Sequence, residues 1–202
     1  MFWSENKFIV IEGIDGVGKS TVCRMVQNRI LEQGGVCELL YGVPDPYIEI
    51  AMKVPQVENV YSRYHFYHAS NLATADLVRK LLRYSNVVLD RYCYSTFAYH
   101  RARGASIPPP IFTDSGLLKP HLNVLLKVND ESIRQDRIGR RCQQKSVDDQ
   151  EQRGVGTFID ELEVGFGLLS MAEVDNSAED PGIAAQKIIE IVTENDNMPR
   201  LS

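Results

Sequence analysis

The stretch "KFIVIEGIDGVGKST", residues 7–21, constrains this chain more than any other. An apolar, β-branched run leads into the pattern G-x-x-x-x-G-K-[ST], Gly13 to Ser20, after which the sequence takes on helical character. Strand, glycine loop and helix in that order are the setting in which such a loop holds a nucleoside triphosphate. Gly13, Gly16 and Gly18 let backbone N–H groups turn inward around phosphate oxygens, and the helix N-terminus adds its positive dipole end. Lys19 is expected to bridge β- and γ-phosphates, and the Ser20 hydroxyl to coordinate Mg2+. The triphosphate contacts are thus expected along Gly13, Gly16, Val17, Gly18, Lys19, Ser20 and Thr21. A glycine-rich turn with a chance lysine is the plainer alternative. One residue stands out against this background: Asp15 puts a carboxylate inside a loop meant for anions.

Downstream, apolar runs alternate with helical patterns, as βαβ units around a parallel sheet require. Strands are expected at residues 7–13, 36–42, 86–92, 121–128 and about 171–174. Helices are expected from Lys19 to about Gln33, across about 57–84 (one helix or two), and at about 131–141, 157–169 and 181–194. The expected fold is α/β, a three-layer P-loop NTPase sandwich with a parallel central sheet of about five strands, flanked by helices. At 202 residues the chain suits one domain, and neither irregular segment, 104–116 or 143–156, is long enough to mark a second.

Two further motifs carry chemistry. "VVLDRY" ends a strand in Asp90, suited to orienting Mg2+ and its waters, with Arg91 placed to clamp a phosphate. Capping of a following helix is the bland alternative for that pair. In "ESIRQDRIGRRCQQK", Arg134, Arg137 and Arg141 share one helix face at spacings of three and four, with Arg140 to the side. Such a run is often a solvated basic face. Phosphoryl transfer also spreads negative charge that closing arginines stabilise, and the Gln/Lys/Ser/Asp/Gly segment that follows has the composition of a lid.

Other classes are disfavoured. A net charge of -5 gives no global field for a nucleic-acid polymer or an anionic membrane. The four cysteines form no C-x-x-C, and scattered thiols suit a cytoplasmic protein. His65 and His68 have no evident third partner for a metal. The N-terminal residues carry no apolar targeting pattern, and no stretch reaches membrane-spanning length. A GTPase switch would need N-K-x-D, which is absent, and the D-x-x-G of Asp136–Gly139 falls within a helix.

Together, "FIVIEGIDGVGKST", "VVLDRYCYSTFAYH" (87–100), "LLKPHLNVLLKV" (117–128) and the arginine-rich segment resemble the thymidylate kinase family. The likeness covers roughly residues 7–192 and implies one P-loop kinase domain over 1–202, with a lid at about 137–156. It implies an ATP- and Mg2+-dependent nucleoside monophosphate kinase, converting dTMP to dTDP, and a homodimer. On it, Asp15 organises the acceptor phosphate and metal, and Arg91 contacts that phosphate. Tyr67 stacks on the base, Asn71 stands at a base-reading position, and Ser95 or Thr96 lines the base pocket. Tyr99 sits where a ribose 2′-hydroxyl would have to fit. Arg134 and Asn176, the latter in "DNS" (175–177), fall on the ATP side. Because the loop carries Val17 where some members have arginine, Arg137 and Arg141 of the lid are expected to supply the catalytic charge.

The sequence also departs from that family. Where an arginine-containing segment usually follows the second strand, it has "YGVPDPY", and Asn71 replaces a base-reading arginine. One explanation is a nucleotide acceptor held by rearranged contacts through residues 61–68. Another is a nucleoside acceptor, deprotonated by Asp45 or Glu49. Turn chemistry alone accounts equally for Asp45 within Pro-Asp-Pro. A nucleotide-binding protein of weak catalysis is the third reading.

Overall fold

The computed structural model describes residues 3–113, 115–141 and 156–197. Most of the expected lid, including residues 142–155, lies outside the described residues, as does the side chain of Arg141.

Five strands form one parallel sheet: β1 (Phe8–Glu12), β2 (Cys37–Tyr41), β3 (Asn86–Asp90), β4 (Leu122–Lys127) and β5 (Ala172–Asp175), in the order β2-β3-β1-β4-β5. β1 and β3 are buried along their whole length, as strands covered on both faces must be. Alternate side chains divide the core between the faces. Ile9, Ile11, Val88, Val124 and Leu126 meet α1 (Lys19–Glu32) and the last helix, α7 (Gly182–Asn197). Phe8, Val10, Val87 and Leu89 meet α3 (Val60–Leu81) and α4 (Cys93–Ala102). Leu125, Ala98 and Tyr99 pack with Leu162 and Phe166 of α6 (Gly156–Gly167). A short helix α2 (Ile48–Ala51) and a 3-10 turn (Val54–Gln56) follow β2, and α5 (Glu131–Arg141) carries the arginines.

The expected fold and strands are observed, with two differences. Residues 57–84, read as one helix or two, hold a single continuous α3, started by Asn59, whose side-chain oxygen accepts from the Tyr61 and Ser62 N–H groups at 3.0 Å. The helix α4 is absent from the expected helices and enters the sequence reading only through the alternative that Asp90–Arg91 caps a following helix. "CYSTFAYHRA" has no side-chain cap of its own and is rich in aromatic residues, Tyr94, Phe97 and Tyr99, which are weak helix formers. Its cap comes from elsewhere: the Glu12 carboxylate, at the end of β1, accepts from Tyr92 N at 2.8 Å and Ser95 N at 3.3 Å.

Strand order positions the site. β1 and β3 are neighbours, with Ile11 opposite Asp90, so the glycine loop after β1 and the Asp90–Arg91 pair after β3 emerge together at the carboxyl edge of the sheet. That edge is where open α/β sheets bind ligands.

Candidate active site

The glycine loop is closely packed at its base. Gly13 (φ +145°) and Gly18 (φ +92°) adopt backbone conformations that favour glycine. A β-carbon at Gly13 would lie 2.5 Å from the Leu126 carbonyl oxygen, and one at Gly18 would lie 2.7 Å from Asn176 Nδ2. Lys19, the first residue of α1, folds back so that Nζ donates to the Ile14 carbonyl at 2.9 Å and lies 3.5 Å from Asp15 Oδ1. Burial, then the nearby Arg91 charge, lower the Lys19 pKa, with Asp15, Asp90 and Glu12 opposing. Ser20 Oγ donates to Asp90 Oδ2 at 2.6 Å, joining the loop to the end of β3. Thr21 is exposed at the first turn of α1.

A hydroxyl beside a carboxylate is a hard-oxygen set that suits Mg2+, which retains several waters and takes few protein ligands. Ser20 and Asp90 are the residues that fit that ion. Among the described residues, no group of three or more His, Cys, Asp or Glu gathers as a metal site.

Two arginines of α5 brace the loop from above. Arg134, almost fully buried, donates from Nη1 to the Asp15 carbonyl at 2.9 Å and from Nε to Glu131 at 2.6 Å. Arg137 donates to the Val17 carbonyl at 3.3 Å and to the Ala178 carbonyl at 3.4 Å. Asn176 Nδ2 also donates to the Val17 carbonyl, at 2.8 Å.

On the other side of the loop, the Asp15 carboxylate lies between Lys19 and Arg91 and is ion-paired to the Arg91 guanidinium. Arg91, with φ +71°, is the one non-glycine residue of positive φ among the described residues, a conformation that costs energy and concentrates at functional sites. Burial disfavours its charge, but Asp15, Tyr99 and Asp90 outweigh this and raise its pKa well above the usual arginine value. Its guanidinium stands 4.9 Å over the Tyr99 ring.

These groups open into a cleft of about 300 Å3. All seven residues read from the sequence as the acceptor side line it: Asp15, Tyr67, Asn71, Arg91, Ser95, Thr96 and Tyr99. Asn71 donates to Thr96 Oγ1 at 2.9 Å, which spends its amide N–H2 partly on the protein. Ser95 Oγ donates to Glu12. Glu12 itself is fully buried, and burial raises its pKa from 4.5 to about 7 against the pull of Ser95, Tyr92 and Arg91. Asp45 and Glu49 are exposed and do not line the cleft; Pro44 and Tyr47 close the turn with a 2.8 Å hydrogen bond.

Sequence reasoning passed over three lining residues: Arg63, His100 and Arg103. Their signal was spacing. Arg63, Tyr67 and Asn71 recur every four residues along α3, and Thr96 and His100 do so along α4, so each set shares a helix face. The cleft is therefore not short of cations, because Arg63 and Arg103 line it together with Arg91.

The thymidylate kinase family model matches residues 11–161, well over half of the chain. A probable thymidylate kinase of Staphylothermus marinus is 31% identical over 137 residues, covering 62% of this chain and 66% of that protein. The thymidylate kinase of Dictyostelium discoideum is 33% identical over 131 residues, covering 61% and 59%. This chain thus covers less than two thirds of the length of each. The structure of a thymidylate kinase from Candida albicans superposes with a TM-score of 0.69 over 98% of this chain and 96% of that one, at 18% identity, and so shares the fold. The glycine loop, the Asp90–Arg91 strand end and the α4 that follows all fall within the matched span, and the chain belongs to the thymidylate kinase family.

Proposed function

We propose that this chain is a kinase transferring the γ-phosphoryl group of ATP to a deoxynucleoside monophosphate, taking dTMP to dTDP. The observation that carries the reading is Asp15, held between Lys19 of the glycine loop and Arg91 of the cleft wall. It joins the glycine loop to an aromatic-lined cleft at the distance of one residue.

In this reading the loop N–H groups from Gly13 to Thr21 cradle the ATP phosphates, and Lys19 neutralises the charge that builds on the transferring group. Arg91 turns toward the acceptor phosphate, with Asp15 fixing its direction. Tyr67 stacks on the base, Asn71, Ser95 and Thr96 line its pocket, and Tyr99 closes off the 2′ position. Mg2+ held by Ser20 and Asp90 would offset phosphate charge when bound. Arg134 stiffens the loop, Arg137, hydrogen-bonded to the Val17 carbonyl, supplies charge for the transferring phosphoryl, and Asn176 backs the ATP side. Residues 1–202 act as one domain, as a homodimer on family likeness. The free, buried Cys23, Cys37 and Cys93 support a reducing, cytoplasmic setting. No helix among the described residues is long and apolar enough to cross a membrane.

A nucleoside acceptor is disfavoured by the same geometry. Its hydroxyl would have to lose a proton, and among the described residues Asp15 is the one carboxylate that lines the cleft. The Asp15 carboxylate is already engaged by Arg91 and Lys19. A nucleotide phosphate is already ionised and needs no such group.

The test is ADP release measured across dTMP, dUMP, dCMP, dGMP and thymidine. Turnover is expected with dTMP, and Lys19→Ala should lower kcat by about 10²–10³-fold or more while the chain stays folded. Turnover of thymidine but not dTMP overturns the acceptor assignment, and full activity of Lys19→Ala overturns the role of the loop.

A further inference from the structure

Two polar side-chain atoms at the acceptor cleft are buried without a hydrogen-bond partner: Arg63 Nε and His100 Nε2. Both residues line the cleft beside Tyr67, Asn71 and Thr96. A buried donor or acceptor left unmade is costly, so such groups call for an explanation at each occurrence. Here one is a donor, the other an acceptor, and both belong to the wall of a single pocket.

The protonation of His100 follows from its neighbours. Nδ1 lies 2.7 Å from the Thr96 carbonyl oxygen, which can only accept. Nδ1 therefore carries the ring proton, and Nε2 presents a lone pair. His100 is 3% exposed. Burial, with the Arg103 and Arg63 charges adding to it and the Thr96 carbonyl opposing, lowers its pKa to about 4, so the ring is neutral near pH 7. The rings of Tyr64 and Tyr67 pack around it at 5.8 and 5.6 Å, fixing its orientation. Arg63 has only donors to offer, since a guanidinium does not give up its proton in proteins.

We propose that His100 and Arg63 read the base edge of the acceptor nucleotide, His100 Nε2 accepting an imide N–H while Arg63 Nε–H donates to the carbonyl beside it. The class so recognised is a 2,4-dioxopyrimidine. Its N3–H is flanked by a carbonyl on each side, so the pair is satisfied whichever carbonyl faces Arg63. Cytosine presents a lone pair at N3 and meets His100 lone pair to lone pair. This inference rests on the reading of the cleft as a nucleotide acceptor site and adds the residues that select the base.

Steady-state kinetics on the wild-type chain, His100→Gln, His100→Leu and Arg63→Met, at saturating Mg-ATP with dTMP, dUMP and dCMP, tests it. Wild type is expected to favour dTMP over dCMP by about 100-fold or more in kcat/KM. His100→Leu is expected to raise the dTMP KM about 10–100-fold, with kcat and the ATP KM little changed, and to erase most of the preference over dCMP. His100→Gln keeps an acceptor oxygen and should recover most of the loss, whereas Arg63→Met should weaken dTMP without recovering dCMP. An unchanged dTMP KM in His100→Leu, or equal losses in the Gln and Leu variants, overturns the inference and leaves the kinase reading standing. Absence of dTMP turnover in wild type overturns the kinase reading, and the inference with it. If His100→Leu does not fold, wild type still decides by competition binding. N3-methyl-dTMP, which has no N–H, is expected to bind at least about tenfold more weakly than dTMP, and equal binding overturns the inference.

Discussion

At the scale of single residues, the site is governed by close approach and by charge pairing. Gly18 illustrates the first. Its φ of +92° is unfavourable to any side chain, and a β-carbon there would press on Asn176 Nδ2 at 2.7 Å. Gly18→Ala is therefore expected to destabilise the chain by about 1–3 kcal/mol and to weaken ATP binding, since the strained turn and the Asn176–Val17 hydrogen bond cannot both persist. Denaturant unfolding and an ATP titration of the variant check this; wild-type values for both would show that the loop relaxes freely. Arg91 illustrates the second. Its positive φ is tolerated because Asp15 and the Tyr99 face anchor its side chain. Asp15, puzzling in a loop for anions, becomes intelligible as the partner that keeps Arg91 aimed at the cleft.

At the scale of elements, α3 and α4 build one wall of the cleft, and each is started by a different device. α3 begins on Asn59, whose side chain caps two N–H groups locally. Asn59→Ala is expected to cost about 1 kcal/mol of stability. A small rise in the KM for the acceptor should accompany it, because Arg63 and Tyr67 ride on the first two turns. Chemical denaturation gives the first quantity and initial rates the second; a variant as stable as wild type would mean that the helix start is held by packing alone. α4 has no local cap and depends on Glu12 from β1, so its start is specified by a residue 80 positions away in sequence. That is why α3 was legible from its own sequence and α4 was not.

At the scale of the whole molecule, Glu12 couples stability to pH. Its folded pKa is raised from 4.5 to about 7, so the native state binds this proton more tightly than the unfolded chain does. The contribution to stability is fully present below about pH 4.5 and is lost as the pH rises through about 7, by roughly 3 kcal/mol in all. His100, with its pKa lowered to about 4, acts with the opposite sign, losing its contribution as the pH falls from 6.5 toward 4. Comparing wild type with Glu12→Gln isolates the first effect, because His100 is common to both. The stability of wild type relative to the variant should decline between pH 5 and 8, as read by thermal unfolding at each pH. A constant difference across that range would place the proton of Glu12 elsewhere.

The fold class, the five strands, the glycine loop and seven residues that line the cleft were all legible in the amino-acid sequence. Each of these is written in local pattern: continuous apolar runs for buried parallel strands, glycines where φ is positive, and a motif whose geometry is set within eight residues. The start of α4, the burial of Glu12, and the presence of Arg63, His100 and Arg103 in the cleft emerge from the three-dimensional packing. These depend on which helix faces meet across the sheet and on which polar atoms are left unpaired when they do. Packing sets such relations between residues far apart in the chain, and helix spacing groups residues on a face without saying which face meets the cleft.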